Sequence, residues 1–139
     1  MSIKEIRDML NRGRKLNREI IQLRIAKEKA FNLACSTVSD IGNEKVQTSS
    51  ENSTERKFVE YSDYSAALDK RLRELLRYRK SMLDMIYRVN NTTYRTLLIA
   101  RYINCMSWEK VAETMNYDVS WIHRMHHNAL AALKEKCGD

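Results

Sequence analysis

The chain has 139 residues, 43% of them hydrophobic and 31% charged, with a net charge of +7. That length holds one domain, or a small domain with an appendage. The composition is too apolar for general disorder and too charged for a membrane protein, and the positive balance points to an anionic partner, nucleic acid first.

There is no proline, and the three glycines stand at 13, 42 and 138, so long helices and an all-α fold are expected. The N-terminal stretch MSIKEIRDML is charged within four residues. No apolar run is long enough for a signal sequence or a membrane span, so a cytoplasmic protein without a membrane partner is expected. Cys35, Cys105 and Cys137 lie far apart with no CxxC pair, which suits a reducing compartment better than a disulfide framework.

Residues 3–38 carry a heptad-like seam: Ile6, Met9, Gly13, Leu16, Ile20, Leu23, Lys27, Ala30 and Ala34. Gly13 and Lys27 are its two flaws. Residues 56–90 repeat the pattern through Tyr61, Ser65, Leu68, Leu72, Leu75, Arg79, Met82, Ile86 and Val89. Between them, residues 39–55 are polar and aperiodic with a net charge of −3, and are expected to form a flexible linker. Two helices of roughly 50 Å each, joined by one loop, favour a long antiparallel helical hairpin over residues 1–90, with residues 15 and 79 at about the same level. Apolar residues beside the seam, among them Leu10, Ile21, Ile25, Phe31, Leu76 and Tyr87, make a stripe too wide for two helices to bury. The C-terminal domain or another copy of the chain is expected to cover it.

NNTT at 90–93 interrupts the periodicity and marks the expected domain boundary, with Asn or Thr ready to cap a new helix. TYRTLLIARYI, residues 93–103, reads as one short helix. Ser107 then caps SWEKVAETM, in which Ala112 is small enough for two helices to cross closely. Asn116 tolerates the positive φ that a helix-turn-helix requires, and Asp118 can cap the third helix. Ile122, Met125, Ala129, Leu130 and Leu133 then face a core. Val119, Ser120, His123, Arg124 and His127 occupy the other face. The spacing predicts a three-helix helix-turn-helix domain over 91–139.

Residues 94–133, YRTLLIARYINCMSWEKVAETMNYDVSWIHRMHHNALAAL, resemble region four of bacterial sigma factors. They are closer still to sigma-like (ArpU-like) regulators of phages and prophages. The whole layout also resembles a phage family of unknown function with an N-terminal helical hairpin. The resemblance implies that the third helix enters the DNA major groove with Val119, Ser120, Trp121, His123 and Arg124 at its base-facing positions. It also implies that Arg101 lies near the phosphates, and that a glycine commonly stands where this chain has Cys105.

The charge is unevenly placed. Residues 1–38 carry +5 and residues 56–90 carry +4, but residues 91–139 only +1. The basic clusters RGRKLNR at 12–18 and KRLRELLRYRK at 70–80 are therefore expected to supply phosphate contacts, through Arg12, Arg14, Lys15, Arg18, Arg77, Arg79 and Lys80. His123, His126 and His127 form a cluster expected to face the groove, with no local set to hold a metal. No phosphate-cradling glycine loop, nucleophile elbow or carboxylate pair is present, so neither catalysis nor a cofactor is expected.

The reading is a sequence-specific transcription regulator of double-stranded DNA in a bacterial host cell, with RNA polymerase as a further partner and a homodimer or higher oligomer formed through the hairpin. Two alternatives stand beside it: a small-terminase-like packaging subunit, and an RNA polymerase-binding module without DNA readout.

Overall fold

The computed structural model describes residues 1–43 and 48–137, and among these every regular element is helical. Helix α1 spans Ile3–Asn43, α2 Thr48–Ile86, α3 Thr92–Leu98, α4 Trp108–Met115 and α5 Val119–Cys137. Helix α1 starts with a reciprocal cap. The Glu5 amide donates to Ser2 Oγ at 3.1 Å, and the Ser2 amide donates back to the Glu5 carboxylate at 2.8 Å. The long helices reach into the polar stretch 39–55 from both sides, up to Asn43 and again from Thr48. Such a stretch has no proline to stop a helix, and with only Ile41 and Val46 as large apolar residues it shows no helical periodicity. The rest of that expected linker, residues 44–47, lies outside the described residues.

The chain forms two compact units that both cut across α1 and α2. One contains Met1–Asn17 with Leu75–Asp139, the other Arg18–Glu74. The sequence break at 90–93 marks the turn from α2 into α3.

In the first unit, the start of α1 and the end of α2 share one core with α3, α4 and α5. Ile6 and Leu10 are fully buried with Ile86, Leu97, Leu98, Val111, Ile122, Leu130 and Leu133. Each such side chain contributes about 1.5–3 kcal/mol of burial. This core covers the part of the α1 stripe around Leu10. Gly13, a flaw by pattern, stands where α1 and α2 approach closely. A Cβ there would lie 2.8 Å from Met82 Cε and 3.1 Å from the Tyr78 ring. The antiparallel register agrees with the expected one, since residue 13 meets 78 and 82.

In the second unit the two helices pair through Ile20, Ala30, Ala34 and Leu68, all buried. The Phe31 and Tyr61 rings lie 5.4 Å apart, and Lys27 Nζ sits 5.6 Å over Tyr61, so the second seam flaw rests its stem and charge on an aromatic face. Arg71 pairs with Glu19 at 3.0 Å and Glu74 at 2.9 Å. Ile21, Ile25 and Phe31 remain 41–45% exposed.

Asn91 caps α3 by accepting the amide of Tyr94 at 3.1 Å. Helix α3 runs on through a π-helical turn, Ile99–Ile103, before the chain reverses at Cys105 with φ 56°. That left-handed conformation costs a non-glycine residue about 1–2 kcal/mol. The sequence resemblance places a glycine at this position, and the backbone here is of the kind glycine favours. Cys105→Gly is expected to raise the unfolding free energy by up to about 1 kcal/mol, the relieved strain being offset by the wider freedom of glycine in the unfolded chain. Urea denaturation of the two proteins measures it, and a less stable variant would contradict the strain argument.

Candidate nucleic-acid interface

The junction of α4 and α5 follows from three residues. Ser107 is extended, with φ −65° and ψ 159°, and its hydroxyl accepts the Lys110 amide at 3.2 Å, which starts α4. Asn116 ends α4 in the left-handed region, at φ 59° and ψ 45°. The next amide, that of Tyr117, returns to the Ala112 carbonyl at 3.0 Å and satisfies an end of the helix that would otherwise be orphaned. Asp118 stands at the start of α5, where its carbonyl accepts the Ile122 amide at 3.0 Å. Ala112 is buried at the crossing. Ser107, Asn116 and Ala112 match their sequence expectations, while Asp118 meets α5 through its backbone carbonyl.

Helix α5 buries Ile122, Met125, His126, Ala129, Leu130 and Leu133. Its opposite face leaves Ser120, Trp121, His123, Arg124 and His127 exposed, with Val119 half-buried. Alternating steps of four and three residues put Ser120, Arg124, His127 and Ala131 along one outermost row. Trp121 stands on one flank of that row, and His123 on the other, its ring 4.9 Å from the Trp108 ring.

Residues 35–134 match the sequence model of a family described as Protein of unknown function (DUF1492). The chain belongs to that family. No curated protein and no solved structure matches it. The DUF1492 match takes in all of α3 and α4 and α5 as far as Lys134, together with the basic cluster at 70–80. The cluster at 12–18 precedes it.

The structure gives the basic residues different surroundings. Arg101 lies with its guanidinium carbon 4.0 Å from the Trp108 ring centre and donates to the Met106 carbonyl at 2.8 Å. Arg14 reaches the same turn from α1 and donates to the carbonyls of Met106 at 3.1 Å and Arg101 at 3.3 Å. Both side chains thus hold the reversal at Cys105 in place. Arg12, Lys15, Arg77 and Lys80 are exposed on the same compact unit, Arg79 is half-buried there, and Arg18 is exposed on the other unit.

His126 departs from its expected place among groove-facing histidines. It is only 8% exposed. Its Nε2 lies 2.6 Å from the Tyr102 hydroxyl, and its ring meets Trp108 edge-on at 4.6 Å. Burial lowers its pKa to about 4, helped by the positive charges of Arg7 and Arg101 and by the neighbouring His123 and His127. The imidazole is therefore neutral at pH 7. The Tyr102 hydroxyl and Nε2 share one hydrogen bond whose direction is set by the imidazole tautomer. The signal that finds this residue is its spacing, four after Ile122 and three before Ala129, which is the core stripe of α5.

Among the described residues, no helix is long and apolar enough to cross a membrane, and no group of three His, Cys, Asp or Glu side chains is placed to hold a metal ion.

Proposed function

We propose that this DUF1492 protein binds double-stranded DNA as a sigma-like transcription regulator of phage type, with α5 in the major groove. The observation that carries the reading is the α4–α5 junction. A left-handed Asn116 and a capped α4 present the exposed row of Ser120 and Arg124 at the N-terminal half of α5, which is the part of a recognition helix that meets base edges. The likeness of residues 94–133 to sigma region four supports it further. Arg124 is the residue for bidentate contact with guanine. Ser120, His123 and His127 flank it, and exposed lysines and arginines of the hairpin base contact phosphates. Assembly into a dimer or larger oligomer through the hairpin, and contact with RNA polymerase, belong to the same reading.

The test is recovery and sequencing of genomic fragments bound by the protein near physiological salt, with Arg124→Ala in parallel. The wild type is expected to enrich a discrete promoter-proximal site. The variant is expected to bind it with a loss of about 1–3 kcal/mol and to tolerate any base at one position. Equal loss on every sequence would make Arg124 a phosphate contact, and absence of enrichment by the wild type would overturn the reading.

A further inference from the structure

A cleft of about 890 Å³ opens where the start of α3, the end of α4 and the start of α5 meet, beside the exposed row of α5. Three aromatic side chains line it, Tyr94, Tyr117 and Trp121, together with the carboxylates of Glu113 and Asp118 and the amide of Asn91. Tyr117 and Trp121 are 43% and 48% exposed, so both rings are open to a ligand. The chain has 25 lysines and arginines, yet none of the residues described as lining this cleft is one of them. It is a negative, aromatic recess on a protein of net charge +7.

That chemistry selects its ligand. Two carboxylates repel a phosphate backbone, so the exposed rings on this flank are not suited to nucleic acid. A neutral apolar ligand would bury the carboxylates without partners. A hard metal ion would gain nothing from aromatic faces. A guanidinium fits both features, because its plane stacks on tryptophan and tyrosine while its fork donates to a carboxylate. Glu113 is 3.7 Å from Lys110 Nζ, but that pair is exposed and readily exchanged for a better partner. The cleft is broad and open, so a side chain from a segment passing over the surface can enter it.

We propose that this cleft docks an arginine-bearing peptide segment of a partner protein, the guanidinium resting against Trp121 and Tyr117 and ion-paired to Glu113 and Asp118. This goes beyond the DNA-binding reading and uses the opposite charge sign.

The experiment titrates the full-length, ¹⁵N-labelled protein with a short tetra-arginine peptide, and with its tetra-citrulline counterpart as an uncharged isostere. Amide shifts are expected to cluster at residues 112–121 and to saturate with the arginine peptide alone. The Glu113→Gln, Asp118→Asn double variant is expected to bind roughly tenfold more weakly. Asparagine is as good a helix N-cap as aspartate, so α5 keeps its start. Trp121→Ala, at an exposed position, gives a second variant with an expected loss of similar size. Shifts elsewhere on the surface, equal shifts with citrulline, or unchanged affinity in both variants would overturn the proposal. Concentration-dependent shifts of the same amides without peptide would also overturn it, by assigning the cleft to a second copy of the chain.

Discussion

Between pH 6.5 and pH 4 the protein is expected to lose stability at up to about 1.4 kcal/mol per pH unit from His126 alone. In the folded chain the imidazole resists protonation until about pH 4. In the unfolded chain it takes up a proton near pH 6.5. Above pH 6.5 both states are neutral at this site and stability is unaffected by it. As pH falls below 6.5 the unfolded state gains a proton that the native state refuses, and the native state loses ground until its own pKa is reached. The full effect is on the order of 3 kcal/mol, a large share of the stability of a chain this size.

The mechanism is local. A charged imidazole at that position would lie against Tyr102 and Trp108 and close to the positive charges of Arg7 and Arg101. Urea unfolding from pH 8 to pH 4, on the wild type and on His126→Gln, isolates the term. Carboxylates titrate alike in both proteins, so the difference between the two curves belongs to the histidine. The variant is expected to start less stable at pH 8, having lost the ring packing, and to close most of the gap by pH 4. Parallel curves would mean that His126 is hydrated and titrates normally.

The contrast between His126 and Asn116 shows what the sequence discloses. Asn116, Ser107 and Ala112 were legible because each position imposes a backbone or steric demand that few residue types meet. The heptad seam gave the hairpin register for the same reason, since one face must be apolar. His126 lies in the buried stripe of α5, but its polar identity outweighed its spacing in a reading based on residue type. The π-helical turn and the positive φ of Cys105 had no local signal, because cysteine has no special liking for that conformation. Arg14 joining a turn about ninety residues away is a long-range contact, and periodicity within one helix carries no information about it. The extent of α1 and α2 within 39–55 was hidden because a solvated polar helix and a polar loop have the same composition.

Replacing Arg12, Lys15, Arg77 and Lys80 together by glutamine is expected to flatten the dependence of log affinity on log salt by up to about 3–4 units. These four are exposed and lie in the compact unit that carries α5, whereas residues 91–139 carry a net charge of only +1. On the proposed reading, a helix with so little charge of its own would gain its phosphate affinity from the scaffold that holds it. Each neutralised phosphate releases counterion and contributes about 0.9 to the slope, so the number of lost contacts is read directly from the titration. Arg14 and Arg101 are left in place, because removing either would loosen the turn at Met106 and confuse a structural loss with an electrostatic one. Between 50 and 200 mM salt the wild type is expected to weaken steeply and the variant shallowly, with the preferred sequence retained by Arg124. A slope unchanged by the four substitutions would mean that these side chains form a solvated face and that α5 binds DNA unaided. A slope lost together with sequence preference would mean that the hairpin base also sets how α5 enters the groove.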